Sequence, residues 1–161
     1  MKTETKRKLP RVAALHDLSC FGRCALTVII PALSAAGVQV VPVPTALLST
    51  HTGGFKNMHF RDLDDSIGDI ARHFGELGLD FDAIYTGFLG SAAQVRTVEA
   101  FIDRFSKNES PLIFVDPVMG DDGELYSACF PELVSEMRRL ISRAHVITPN
   151  LTEACLLTGE S

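Results

Sequence analysis

Short apolar segments alternate along the chain with segments of helical spacing, and this alternation constrains the fold more than any other feature. Five runs rich in valine, isoleucine and leucine predict strands, and a helix is predicted after each of them. Such an order is typical of parallel strands with right-handed crossovers and helices on both faces. We therefore predict a three-layer α/β/α fold around a mostly parallel sheet. The predicted strands are 12–15, 38–43, 81–86, 112–115 and 146–147, and the predicted helices are 25–36, 63–77, 92–105, 131–142 and 153–158.

Local residues at the helix ends add detail to this prediction. Pro31 lies inside the first predicted helix and indicates a late start, a kink or a break. This helix is apolar nearly all round, which predicts that it is buried. Ser91 and Gln94 predict a capping box at the start of the third helix, and Thr152 is the expected N-cap of the last.

Polar residues and glycines are concentrated in the loops that follow the predicted strands. The loops on the opposite side, 78–82 and 107–110, resemble plain connectors. Because the carboxyl ends of parallel strands meet at one edge, where ligands bind in open α/β sheets, this asymmetry predicts a ligand site. The loops at this edge are 16–22, 45–54, 86–90, 116–126 and 148–153.

The loop after the fourth predicted strand carries four carboxylates. Asp116, Asp121, Asp122 and Glu124 fall within nine residues of one another. Carboxylate oxygens suit Mg²⁺, which often bridges to nucleotide phosphates. The alternative is a solvated acidic turn, since Asp and Gly are ordinary turn residues.

Several other loop residues are candidate ligand contacts, each with a structural alternative. Asn150 and Glu153 lie at a helix start, where free N–H groups favour anions, although a first-turn Glu often only complements the helix dipole. Phe88 is either a face for a planar ligand or a core residue. His16 and His51 are better candidates than the helical His73. Thr52 and Thr148 either donate hydroxyls to a ligand or belong to turns.

Composition narrows the class of protein. The chain has 161 residues, 46% of them hydrophobic, which suits one globular domain, 11–161, after a basic tail at 1–10 that we expect to be disordered. The net charge of −5 lacks the excess of positive charge that is typical of proteins that bind nucleic acid. No apolar run approaches about 20 residues and no secretory signal is present, so we expect a cytoplasmic protein without membrane contact. The cysteines lack metal-site spacing, and zinc is not expected; they are Cys20, Cys24, Cys129 and Cys155.

Taken together, the loops resemble those of the pyridoxal/pyridoxine (pyridoxamine) kinases of the ribokinase-like superfamily. Segment 16–24, HDLSCFGRC, resembles the bacterial branch of that family. The other matching segments, in the family's order and spacing, are 49–53 (STHTG), 86–91 (TGFLGS), 116–121 (DPVMGD) and 148–153 (TPNLTE).

This resemblance implies ATP-dependent phosphorylation of the 5′-hydroxymethyl group of a B6 vitamer by a homodimer. It implies Mg²⁺ and often a monovalent cation such as K⁺, with Asp116, Asp121 and Glu153 near the metal. Asp116, Asp121, Thr148, Asn150 and Glu153 would serve the ATP and phosphate side. The implied substrate contacts are His16, Ser19, Thr52, Gly53, Phe88 and Tyr126.

The resemblance covers an N-terminal portion of the family pattern. The glycine-rich G-T-G-D anion hole, whose Asp is the family's catalytic base, does not occur among these 161 residues and is expected beyond Ser161. We therefore expect the chain alone to be a weak or inactive kinase. A hydroxymethylpyrimidine kinase and a ligand-binding fragment without catalysis are the alternatives.

Overall fold

The computed structural model describes residues 9–107, 110–126, 129 and 131–160. Most of the predicted basic tail therefore lies outside the described residues, and the division into a tail and one domain stays a prediction. The strands are β1 Arg11–Phe21, β2 Gln39–Thr50, β3 Phe60–Asp62, β4 Ala83–Thr86, β5 Leu112–Val115, β6 Gly120–Asp121, β7 Glu124–Leu125 and β8 Val146–Ile147. The helices are α1 Leu26–Ala35, α2 Asp64–Glu76, α3 Ala92–Phe105, α4 Pro131–Ile141 and α5 Leu151–Thr158.

The central sheet has six strands in the order β3-β2-β1-β4-β5-β8. All neighbouring pairs are parallel except β2–β3, which is antiparallel. Helices α2, α3 and α4 pack side by side, whereas α1 packs against β1 and β2. This architecture confirms the predicted mostly parallel α/β fold. The short antiparallel strand β3 was not predicted.

Strands β1 and β2 are much longer than predicted. The predicted loop 16–22 lies in β1 as far as Phe21, and the predicted loop 45–54 lies in β2 as far as Thr50. Polar side chains and glycines suggested loops there, but the two strands pair with each other nearly to their ends, with a register slip between His16 and Leu18. Cross-strand pairing, which spacing along one strand cannot reveal, therefore extends both strands into the predicted ligand edge.

Helix α1 departs from its prediction in two ways. Pro31 lies inside the helix without ending it. Leu26 is its one fully buried residue, while Val28 and Ile30 are exposed, so the expectation of a buried helix is wrong. The reason is geometric, because the helix contacts β1 and β2 along one side only.

The helix caps correct two further predictions. Asn150, and not Thr152, is the N-cap of α5, and it forms a reciprocal capping box with Glu153. Ser91 caps α3 as predicted, but the Gln94 side chain accepts from the Gly90 N–H rather than completing a box with Ser91. Both arrangements use hydrogen bonds between residues three or four positions apart.

The acidic loop forms a tight hairpin between β6 and β7. Asp122 and Gly123 occupy its turn with φ angles of 51° and 84°. Two consecutive residues with positive φ match the hairpin turns that suit the twist of paired strands. None of the helices in the described part of the chain has the length and apolar character needed to cross a bilayer.

Candidate active site

A cavity of about 540 Å³ opens where β1, β2, β4 and β5 end. All the side chains proposed as substrate contacts line it, and Asp116 lines it as well. Four segments that are distant in sequence therefore meet at one cavity, as expected for the carboxyl edge of a parallel sheet. The proposed contacts along its wall are His16, Ser19, Thr52, Gly53, Phe88 and Tyr126.

His16 is a buried histidine on this wall. Its side chain is 3% exposed, and burial lowers its pKa to about 3. The ring packs edge-on against Tyr85, and its Nε2 has no hydrogen-bond partner among the described residues. A Cβ added to Gly87 would lie 2.1 Å from His16 Nδ1, so the ring requires glycine there. At neutral pH His16 is a neutral hydrogen-bonding group, and proton uptake by it is disfavoured.

Asp17 and Ser19 form a buried polar pair beside His16. The Ser19 hydroxyl donates to Asp17 Oδ2 at 2.8 Å. Burial raises the pKa of Asp17, while the Ser19 hydrogen bond and the charge of His51 act in the opposite direction. Asp17 lines the cavity but was not among the predicted site residues.

The glycine-rich loop after β2 folds over the end of β1. The Phe55 ring packs edge-on against His51 and Phe21, at ring-centre distances of 4.9 and 5.9 Å. The backbone N–H of Gly53 donates to His51 Nδ1 at 3.2 Å, so the neutral His51 ring carries its proton on Nε2. These contacts hold Thr52 and Gly53 at the cavity.

Buried hydrogen bonds also hold the loop that carries Phe88. The Thr45 hydroxyl donates to the Phe88 carbonyl at 2.8 Å. The Gln94 amide donates to the Thr45 carbonyl at 2.7 Å and accepts from the Gly90 N–H at 2.8 Å. Thr45 and Gln94 are fully buried, so their hydrogen bonds fix the backbone position of Phe88.

Asp116, which follows β5, is a second carboxylate that lines the cavity. Its Oδ1 accepts from the Thr148 hydroxyl at 3.3 Å. Burial raises the pKa of Asp116. Burial and, to a smaller extent, the nearby Asp116 charge raise the pKa of Tyr85. For Tyr126, burial is again the largest cause of a raised pKa, followed by the charges of Asp121 and Glu153.

Glu153 joins the start of α5 to the loop before β6. The residue is 3% exposed, and its carboxylate accepts from the N–H groups of Met119 and Asn150 at 3.1 and 2.9 Å. The Asn150 amide donates to the Gly120 carbonyl at 2.8 Å. Glu153 lies close enough to Asp116 for the Asp116 charge to contribute to its raised pKa, of which burial is the main cause. Thr148 and Glu153 therefore lie close to Asp116, which is the one predicted phosphate-side residue in the cavity lining.

The fit of a magnesium ion depends on which carboxylate oxygens are free. Both Glu153 oxygens already accept backbone N–H groups, and the exposed Asp121 accepts from the Asp122 N–H. Among the described residues no group of three or more His, Cys, Asp or Glu side chains is arranged to hold a metal. Asp116 accepts from Thr148 through Oδ1 only and, unlike Asp121 and Glu153, lines the cavity, so it fits Mg²⁺ best, with water and phosphate oxygens as the remaining ligands. Binding by Asp116, Asp121 and Glu153 stays a prediction.

Sequence reasoning missed several residues that line the cavity. Tyr85 was assigned only to a strand, and Arg23 and Cys24 appeared only in the segment that resembles the family, without a proposed ligand contact. A polar side chain on a predicted strand, immediately before a glycine-rich loop, is the signal that could have identified Tyr85. The hydrophobic wall had no comparable signal; it includes Val28, Ile29, Leu48 and Val118.

Comparison with known proteins places this geometry in context. A family model described as phosphomethylpyrimidine kinase matches residues 13–161. The pyridoxine/pyridoxal/pyridoxamine kinase of Bordetella avium is 35% identical over 156 residues, which are 92% of this chain and 51% of that protein. The chain spans about half the length of the relatives it matches.

Solved structures agree with these sequence matches. A Bacteroides thetaiotaomicron protein described as a phosphomethylpyrimidine kinase and crystallised with pyridoxal is 50% identical, with a TM-score of 0.90 over 95% of this chain and 53% of that one. Pyridoxal kinase from Leishmania donovani, in complex with ADP and pyridoxamine, is 27% identical, with a TM-score of 0.86 over 92% of this chain and 52% of that one. The chain therefore belongs to the phosphomethylpyrimidine kinase family, and the relatives confirm the predicted resemblance to the pyridoxal kinases of the ribokinase-like superfamily.

Proposed function

We propose that this chain supplies the vitamer-binding side and part of the phosphate side of a kinase that transfers a phosphoryl group from ATP to the 5′-hydroxymethyl group of a B6 vitamer. The observation that carries the proposal is the shared cavity, which His16, Thr52 and Phe88 line together with Asp116. Further support comes from a relative whose description names B6 vitamers and from related solved structures that contain them.

The side chains divide into two roles in this proposal. The neutral His16, Ser19, Thr52 and Gly53 offer hydrogen bonds to a pyridine ring, while Phe88 and Tyr126 flank it. Asp116, Asp121, Thr148, Asn150 and Glu153 form the phosphate side, on which the N-terminus of α5 favours anions. Mg²⁺ near Asp116, when bound, would neutralise phosphate charge, and K⁺ is a further proposed ion. Positioning and charge stabilisation are the main contributions that such an in-line transfer requires.

Binding and turnover are tested separately. Calorimetry with pyridoxal, and independently with Mg–ATP, is expected to show binding of both ligands. Asp116→Asn should leave pyridoxal affinity within about threefold and lower the phosphorylation rate of a full-length form at least about tenfold. The exposed Asp65→Asn is the matched control. Failure of the unsubstituted protein to bind either ligand contradicts the proposal.

Activity of the 161 residues alone is a separate part of the proposal. We expect binding with slow or no turnover, because the G-T-G-D segment whose Asp the resemblance implies as the catalytic base does not occur among these 161 residues. Robust turnover by the purified chain would show that another residue serves as the base. Homodimer formation and a cytoplasmic location also remain proposals.

A hydroxymethylpyrimidine is the second candidate substrate, because the matching family model is described as phosphomethylpyrimidine kinase. Relative kcat/KM values of a full-length form for pyridoxal and hydroxymethylpyrimidine discriminate between the candidates. A preference for the pyrimidine would overturn the B6 assignment while leaving the kinase assignment in place.

A further inference from the structure

Asp17 is a buried carboxylate that lines the cavity, and in the described part of the chain the charge of His51 is the one positive charge that acts on its pKa. The residue is 7% exposed, and no Lys or Arg forms an ion pair with it among the described residues. Arg23 also lines the cavity, but it is absent from the charges that act on the pKa of Asp17. Burying a carboxylate without a counter-charge is costly, so a compensating group is expected.

The hydrogen bonds of Asp17 do not explain its burial as a structural tie. Its partners are the Ser19 hydroxyl and its own backbone, both on β1. Glu153 differs in this respect, because its carboxylate connects α5 to a separate loop. The Asp17 carboxylate connects no two elements of the fold through the hydrogen bonds described, although it lines the cavity.

The neighbouring side chains limit what the carboxylate can bind. His16 is neutral, and the neutral form of His51 presents an N–H donor at Nε2 because Nδ1 accepts from Gly53. Asp17 is therefore the anionic acceptor on this wall, and it is suited to a ligand N–H group, most strongly to a cationic one. In a 3-hydroxypyridine, transfer of the hydroxyl proton to the ring nitrogen creates such a group.

We propose that Asp17 accepts a hydrogen bond from the protonated ring nitrogen of a pyridine substrate and thereby contributes to selection of the pyridine ring. The inference rests on the proposed B6 function and deepens it. A neutral pyrimidine lacks the charged N–H group and would gain less from the same carboxylate.

The test combines one protein substitution with one ligand substitution. Calorimetry measures the Kd of pyridoxine and of its benzene analogue, in which CH replaces the ring nitrogen. The unsubstituted chain is expected to bind pyridoxine at least about tenfold more tightly than the analogue. Asp17→Asn should weaken pyridoxine binding about tenfold or more and change binding of the analogue by less than about threefold. Asp65→Asn, the same substitution on the exposed surface of α2, should change neither Kd.

The outcomes separate this inference from the function on which it rests. Failure of the unsubstituted chain to bind pyridoxine contradicts the proposed function. If pyridoxine binds but Asp17→Asn weakens both ligands equally, or weakens neither, the assignment of the ring nitrogen to Asp17 is wrong. Circular dichroism establishes whether the variant folds. If it does not fold, equal affinities of the unsubstituted chain for the two ligands would still overturn the inference.

Discussion

The burial of His16 makes a quantitative prediction about stability and pH. The folded-state pKa of this side chain is about 3, against an ordinary value of 6.5. Between these values the unfolded chain binds more protons than the folded chain, so protonation of His16 favours unfolding. The contribution is fully present above about pH 6.5 and decreases as pH falls towards 3. With 1.36 kcal/mol for each pKa unit, the titration of His16 lowers the free energy of unfolding by about 2 kcal/mol between pH 7 and pH 5.

Urea unfolding at the two pH values measures this loss. His16→Gln keeps a neutral polar side chain and removes the titrating ring. Between pH 7 and pH 5 the free energy of unfolding of the unsubstituted chain should therefore decrease by about 2 kcal/mol more than that of the variant. The exposed His73→Gln, a matched control on α2, should follow the unsubstituted chain. If His16→Gln and the unsubstituted chain lose the same stability within about 0.5 kcal/mol, the reasoning about a buried neutral imidazole is wrong.

Three further substitutions test other parts of the site. Gly87→Ala should displace the His16 ring, because the new Cβ would lie 2.1 Å from Nδ1. Calorimetry should show pyridoxal binding that is at least about tenfold weaker, and an unchanged affinity would contradict this packing. Glu153→Gln should lower the free energy of unfolding by about 1–3 kcal/mol in urea, because an NH₂ group then faces a buried backbone donor; a loss below about 0.5 kcal/mol would rule out the structural tie. Gln94→Ala should lower the free energy of unfolding by about 1–3 kcal/mol in the same assay, because the Gly90 N–H loses its partner while the Thr45 carbonyl keeps only the Leu63 N–H; an unchanged urea midpoint would exclude this role.

The predicted ligand edge shows how far local pattern can lead. The apolar runs identified the strands of the parallel core, and their order predicted the edge where polar loops meet. His16, Thr52, Phe88 and Asp116 were named from these loops and from the family resemblance, and the structure brings them to one cavity. Their roles in binding stay predictions until ligands are measured.

Other features of the site could not be predicted because they depend on contacts between distant residues. Asp17 was not selected, since its burial follows from the pairing of β1 with β2. Thr152 was preferred as an N-cap although Asn150 and Glu153 have the spacing of a capping box, so here an available signal was overlooked. The antiparallel strand β3 consists of three exposed residues, which are too few to show periodicity.

The sequence by itself determined the α/β class, the alternation of strands and helices along the chain and the edge of the sheet at which ligands would bind, because these depend on hydrophobic spacing within short segments. Only the tertiary structure decided how far β1 and β2 extend, which faces of α1 are covered and which polar groups are buried without partners. Those properties arise from pairing and packing between residues far apart in the chain, and the desolvation of His16 and Asp17 exists only after that packing has formed.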